Sequence, residues 1–353
     1  MKVLIIISNC GIGGSQRVAM HLAKWLNGKE NSLAKIVSLK KTTGNCYDMN
    51  GYDYVELSEN HVIKKLRNLI KNENPDIVLS MGVPMAIYTV PASMFLNVKH
   101  VISERNDPSH FSGKPMIKYL SRFLMRFASG YVFQTRDAQK FYGMVDGKKS
   151  IVIANPLSEM QNMPTEIFSG FREKKIVSVG RLNKQKNHSL LIDAFADIVN
   201  DYPEYKLVIW GEGDEREKLE NKIKQMGLKE KVLLPGATKQ VFDKINSSTM
   251  FVLSSDFEGM PNALMEAMAL GLPVVSTDCP CGGPHDLIQD GENGFLVPVG
   301  DREKLKEKMI MILDSLEIQN RFSKKAFSIR DEYNLERICK KWYEYFQLVV
   351  EDK

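Results

Sequence analysis

Short apolar runs rich in β-branched residues recur along the whole chain, and amphipathic stretches of helical period separate most of them. In the first half they cover residues 3–7, 34–39, 77–80, 100–103, 131–134 and 150–154. In the second half they cover 175–179, 206–210, 231–234, 250–253, 273–276 and 294–297. Runs that are apolar throughout suit strands buried on both faces, and helical spacers between them suit crossovers. The pattern predicts an α/β protein with two doubly wound parallel sheets. A chain of 353 residues has room for two such domains. The spacer 155–174 opens on Asn155-Pro156, carries Pro164 and Gly170, and marks the boundary. The expected organisation is a first domain over 1–165, a second over 166–334, and a terminal helix over 335–353 rich in aromatics (Trp342, Tyr343, Tyr345, Phe346). Ligands of open α/β sheets bind at the carboxyl ends of the strands, so the strand ends are where function is sought.

Bulk properties narrow the class. No apolar stretch approaches the roughly 18 residues of a membrane span. The opening 3–7 run is too short for a leader and reads as a strand. A cytoplasmic location is expected. Five cysteines, odd in number and irregularly spaced, argue against a disulfide framework. The net charge of +5 is uneven. Residues 1–165 hold 21 basic against 12 acidic side chains, a balance of +9, and the rest hold 27 against 31, a balance of −4. The first domain therefore expects an anionic partner. No nucleic-acid motif accompanies the charge, so nucleic acid is not expected. An anionic membrane surface or a lipid-linked phosphate acceptor fits better.

The densest chemistry lies in Ser254-Ser255-Asp256-Phe257-Glu258-Gly259-Met260-Pro261-Asn262-Ala263-Leu264-Met265-Glu266. Glu258 falls in the loop after the 250–253 run, and Glu266 about one turn into the following helix. Between them the N–H groups of Asn262, Ala263 and Leu264 sit at a helix start, where phosphate is well held. Carboxylates on either side suit the sugar hydroxyls flanking a diphosphate. A second set follows the 175–179 run: Gly180-Arg181, then Lys186 before a helix expected at 189–199. Arginine by its planar fork and lysine as a point charge both suit a diphosphate. Asn9-Cys10-Gly11-Ile12-Gly13-Gly14-Ser15 after the first run is a third strand-end loop, with Ser15 as an expected helix cap. It does not match the dinucleotide fingerprint, and Lys40 and Lys41 stand where an acidic ribose ligand would be.

These motifs resemble the family 4 retaining glycosyltransferases over nearly the whole chain. The resemblance implies two facing Rossmann-like domains of the GT-B kind with a cleft between them. It implies that Glu258, Arg181 and Lys186 are catalytic. It implies that Glu266, Gly13, Gly14, Gly180, Gly211, Gly213, Met260, Pro261, Asn262, Ala263 and Leu264 hold the donor, a UDP-sugar. Glu266 is then the ribose ligand and Glu258 the partner of the donor sugar. The 257–284 segment resembles bacterial N-acetylhexosamine transferases, notably for N-acetylgalactosamine, that build polysaccharides or lipid-linked oligosaccharides. Where relatives carry a histidine near the reacting carbon, this chain has Glu104 and Arg105, so that role does not carry over. Glu104, Asp107 and His110 are the candidates to orient an acceptor hydroxyl, on a lipid-linked glycan or a free oligosaccharide.

No cofactor and no metal are expected. Cys279-Pro280-Cys281 with His285 lacks a zinc spacing. Lys114, Lys118, Arg122 and Arg126 recur every four residues beside an apolar series, a pattern that fits a helix lying on an anionic membrane or one with a solvated basic face. The expected location is thus peripheral, on the inner face of the cell membrane. Two other functions share parts of the pattern: a nucleotide-sugar epimerase of the same architecture, and a non-catalytic nucleotide-sugar-binding partner.

Overall fold

The structure is a computed structural model that describes every residue except 12, 43–45, 58–59, 111–113, 144–148, 158–162 and 353. Ile12 of the first glycine loop and part of the 155–174 spacer therefore lie outside the described residues. The chain divides into two compact units, Met1–Ser158 with Tyr333–Lys353, and Glu159–Glu332.

The first unit runs β1 (Lys2–Ile7), α1 (Gly14–Asn27), β2 (Leu33–Ser38), β3 (Tyr54–Glu56), α2 (Val62–Glu73), β4 (Ile77–Met81), α3 (Ala86–Ser93), β5 (Lys99–Glu104), α4 (Pro115–Met125), β6 (Gly130–Phe133), α5 (Arg136–Phe141) and β7 (Ser150–Val152). Its strands form one sheet in the order β3-β2-β1-β4-β5-β6-β7. Every pairing is parallel. The apolar runs are the reason. Val3, Ile5 and Ile7 pack on one face with Val18, Leu22 and Leu26 of α1. Leu4 and Ile6 point to the other face, with Leu66 and Ile70 of α2. Successive side chains of a strand alternate sides, so a strand covered on both faces must be apolar at each position.

The second unit runs β8 (Glu173–Val179), α6 (His188–Ala196), β9 (Lys206–Trp210), α7 (Arg216–Gln225), β10 (Val232–Gly236), α8 (Val241–Ile245), β11 (Ser248–Leu253), α9 (Asn262–Ala269), β12 (Val274–Thr277), α10 (Gly283–Leu287), β13 (Phe295–Val297), α11 (Arg302–Asp314), α12 (Leu316–Phe327) and α13 (Ile329–Glu332). Its six strands are also parallel, in the order β10-β9-β8-β11-β12-β13. The last helix, α14 (Leu335–Glu351), belongs to the first unit. It buries Ile338, Cys339, Trp342, Tyr345, Phe346 and Val349 at helical spacing in the cluster that holds β1 and α1.

Each sheet reverses its winding once, between β1 and β4 and between β8 and β11. Such a reversal leaves a crevice at the carboxyl ends of the two neighbouring strands. Three local expectations are corrected. The edge strand β3 was not foreseen, because three residues paired on one side carry too little apolar pattern. Ser15 lies inside α1, whose N-cap is Gly13 without a side-chain cap, because the helix begins two residues earlier than expected. The second-unit helix begins at His188 because Asn187 caps it, its side chain accepting from the Leu190 N–H. Among the described residues no helix is long and apolar enough to cross a membrane.

Each unit buries one histidine. Burial lowers the pKa of His100 to about 3, with Ser80 Oγ 2.8 Å from Nε2. Burial, then the Lys186 charge, lower that of His188 to about 4. The ordinary value of 6.5 applies to the unfolded chain, which therefore binds more protons than the folded one between 6.5 and these values. Stability is then lost as pH falls below 6.5, by about 1.4 kcal/mol per pH unit for each histidine. Denaturant midpoints measured from pH 7 to 4.5 should fall accordingly, and His188→Gln should flatten the slope of the second unit. A slope unchanged by that substitution assigns the acid sensitivity elsewhere.

Candidate functional site

At the winding reversal of the second unit, β8 delivers Gly180 and Arg181, and β11 delivers the loop to Glu258. Two loops from neighbouring strands are locked together there. The Asp256 N–H donates to the Gln185 carbonyl at 2.9 Å, Gln185 Nε2 to the Phe257 carbonyl at 2.9 Å, and Asn187 Nδ2 to Asp256 Oδ1 at 2.8 Å. The clasp aligns a buried ion pair. Lys186 Nζ lies 2.6 Å from Glu258 Oε1, with side-chain exposures of 14% and 8%. Ser255 Oγ donates to the same oxygen at 2.7 Å. Glu258 Oε2 makes no hydrogen bond among the described residues. The Glu258 backbone is held too, its N–H donating to the Pro280 carbonyl at 2.7 Å and its carbonyl accepting from the Cys281 N–H at 2.8 Å.

Three glycines make this packing possible. The Lys186 stem crosses Gly180, where a Cβ would sit 3.2 Å from Cε. Gly211 has φ +154, and a Cβ there would lie 1.8 Å from the Gly180 carbonyl oxygen. Gly213 likewise lets the β9 loop close on Leu182. Arg181 is exposed and its guanidinium pairs with no side chain among the described residues. Met260 and Pro261 are buried and lead into α9, where Glu266 is 9% exposed. One expectation changes: the Leu264 N–H is not open to a ligand, because it donates to the Pro261 carbonyl at 3.1 Å. Asn262 and Ala263 form the half-buried first turn. Cys279 and Cys281 are buried free thiols, and burial followed by the Glu258 charge push the Cys279 pKa up to about 12. Among the described residues no group of three potential metal ligands occurs.

Gly13 and Gly14, expected at the donor, lie in the first unit, as cap and first residue of α1. The first unit has its own cavity of about 400 Å³ at the ends of β1, β4 and β5. Glu104, Asp107 and His110 all line it. Asp107 Oδ2 is 2.5 Å from His110 Nδ1, and Ser109 Oγ and N–H both donate to the same carboxylate. An imidazole so held presents a fixed ring to the cavity. Glu104 is buried beneath, accepting from the Arg105 and Asn106 N–H groups and from the Tyr142 hydroxyl at 2.8 Å. Burial raises the Glu104 pKa, and burial and Glu104 raise that of Tyr142. Arg105 is turned away into structure. It donates to Asn155 Oδ1 and the Ile153 carbonyl and lies over the Trp342 ring, and burial lowers its pKa to about 9.

Ser255 and Tyr142 were not singled out from sequence. Ser255 sits inside the recognised segment, three residues before Glu258, so its signal was present. Tyr142 reaches Glu104 across 38 positions, and nothing local announces it. The basic stripe is also corrected. Arg122 lies 4.8 Å over the Phe141 ring and donates to the Pro108 carbonyl, and Lys118 lines the cavity. Of the four cations only Lys114 and Arg126 are exposed, while Met116, Tyr119, Leu120, Phe123 and Phe127 form the outer surface of α4 and its end.

Removing one partner of a buried ion pair leaves an uncompensated charge, at a cost of about 3–5 kcal/mol. Lys186→Met should therefore destabilise the second unit by that order, and adding Glu258→Gln should recover most of the loss. A denaturant-based double-mutant cycle with no coupling between the two positions would show that the pair is not formed.

Residues 164–328 match the family model of glycosyl transferases group 1. An uncharacterised glycosyltransferase of Haemophilus influenzae is 28% identical over 353 residues, covering 97% of this chain and 98% of that relative. An α-1,4-N-acetyl-D-galactosaminyltransferase of Campylobacter jejuni is 25% identical and covers 100% of this chain and 99% of its own. Among solved structures, HepE of Anabaena in complex with UDP and glucose superimposes with a TM-score of 0.83 at 17% identity, over 98% of this chain and 99% of that one. Both units thus have the fold of the GT-B glycosyltransferases. The matched region spans the whole of the Arg181, Lys186, Glu258 and Glu266 constellation, so the part of the chain that carries it is similar to the group 1 glycosyl transferases.

Proposed function

We propose that the protein is a retaining glycosyltransferase that moves a sugar, an N-acetylhexosamine, from a UDP-sugar to a hydroxyl of a lipid-linked or growing glycan in bacterial surface polysaccharide or oligosaccharide biosynthesis. The observation that carries this reading is the Lys186–Glu258 pair set beside the exposed Arg181 at the β8–β11 reversal. A diphosphate meets Arg181 as a fork and Lys186 as a point charge, and both neutralise the charge that grows on it as it departs. Glu258 keeps Oε2 for a donor-sugar hydroxyl while Oε1 steers the ammonium. Glu266 takes the ribose. In a retaining transfer the departing phosphate itself can accept the acceptor's proton, so no separate base is required. The first unit binds the acceptor next to the Asp107–His110 pair. The sugar assignment is supported by the Campylobacter relative, whose name specifies an acceptor on diphospho-undecaprenol.

The reading needs no metal, because two cations and a helix terminus supply the positive charge. It is tested with a panel of radiolabelled UDP-sugars and lipid extract in the presence of a chelator. Transfer of label to the lipid fraction is expected. Release of a free, rearranged sugar without acceptor would favour the epimerase. Glu266→Ala should melt like wild type and lose about ten- to a hundredfold in kcat/KM, the range set by one charged hydrogen bond. Wild-type efficiency in that variant would remove Glu266 from the site.

The reading also places α4 on a membrane. Its outer surface is apolar and flanked by the exposed cations Lys114 and Arg126. Each cation near an anionic surface contributes about 1 kcal/mol, screened by salt. The protein should sediment with anionic vesicles, less so as salt rises. Leu120→Gln with Phe123→Gln should release the remainder. Indifference of wild type to anionic vesicles at low salt would make α4 a solvated face and the acceptor soluble.

A further inference from the structure

We propose that the cavity of the first unit recognises an anionic, phosphate-bearing group on the acceptor through Lys40 and Lys118. The inference rests on the reading of this cavity as the acceptor site and deepens it.

The cavity is walled by the ends of β1, β4 and β5 and by the inner side of α4. Its other charged groups are already engaged. Glu104 accepts from two backbone N–H groups and a tyrosine, and burial raises its pKa. Asp107 is held by Ser109 and His110. Arg105 is spent on Asn155 and a carbonyl, and Arg122 on the Pro108 carbonyl and an aromatic ring. Lys40 and Lys118 line the same cavity, and among the described residues neither side chain has a hydrogen-bond or ion-pair partner. Two uncompensated ammonium groups give the space a positive field. A neutral saccharide makes poor use of them, whereas a phosphate takes them as point charges.

The dimensions add a constraint. About 400 Å³ is near the small end of ligand sites, roughly 300–1,000 Å³. A phosphate within reach of these lysines and a hydroxyl beside His110 must then be joined by a short saccharide. The enzyme accordingly acts early, on a glycan still close to its phosphate anchor, and a reaction that installs a sugar phosphate on a carrier must precede it. The position of α4 suits an apolar carrier, because the helix that shows Lys118 to the cavity shows Leu120 and Phe123 to the outside.

The test is calorimetry on UDP-saturated protein, titrated with inorganic pyrophosphate and with farnesyl diphosphate. Both should bind. Lys40→Ala and Lys118→Ala should each weaken both probes about tenfold, and Lys118→Arg should restore most of the loss. Leu120→Gln with Phe123→Gln should weaken farnesyl diphosphate alone, which supports the proposal with the anion on a lipid. Equal affinity for the two probes, with those surface substitutions silent, supports it with the anion on a soluble sugar phosphate. Absence of binding by either probe, or binding unchanged in both alanine variants, overturns it. The initial UDP titration stands apart: wild type that ignores UDP sinks the donor assignment, while the lysine comparison still decides the cavity.

Discussion

Parallel pairing is the constraint from which the rest follows. A parallel strand cannot return by a tight turn, so each crossover needs a helix, and each sheet acquires helices on both faces. With both faces covered, the strands must be apolar at every position, as Val3 to Ile7 and Met250 to Leu253 are. The polar chemistry has nowhere to go but the strand ends. All carboxyl ends of one sheet lie along one edge, and the single reversal in each winding spreads two loops apart there. The Lys186–Glu258 pair occupies one such point and the Asp107–His110 cavity the other.

Much of this was legible in the chain because it is local. Continuous apolar runs announce buried strands, and the strand-end loops carried Arg181, Lys186, Glu258 and Glu266 in recognisable spacing. What was not legible depends on loops meeting across long separations. That Lys186 pairs with Glu258, rather than standing free, needs two loops 72 positions apart to be clasped by Gln185, Asn187 and Asp256. The role of Tyr142 under Glu104 is of the same kind. The helix α4 shows a subtler limit. A period of four fixes which residues share a stripe but not which stripe faces the protein. The aromatic Phe141 and the Pro108 carbonyl draw Arg122 inward, and phenylalanines are left outside.

The two sites differ in how their charge is balanced. In the second unit a cation and an anion neutralise each other within a few ångströms, with Ser255 as a third donor, so the pair is preorganised and largely dry. In the first unit the acids are satisfied and two lysines are not. The first arrangement suits a group whose charge changes during reaction, and the second suits one whose charge is permanent.

The discontinuity of the first unit has a consequence for how the molecule comes into being. Its core includes Trp342, Tyr345, Phe346 and Val349, which are synthesised after the whole of the second unit. As the chain leaves the ribosome, residues 159–332 can complete their core while the earlier-made sheet still lacks α14. The face of α1 and β1 that Trp342 will cover stays open during that interval. Usually the amino-terminal domain of a protein folds first; here the order of completion is inverted. The segment that closes the first unit is made after the second, so a product truncated before α14 would carry a finished second unit and an open first unit exposed to chaperones and proteases.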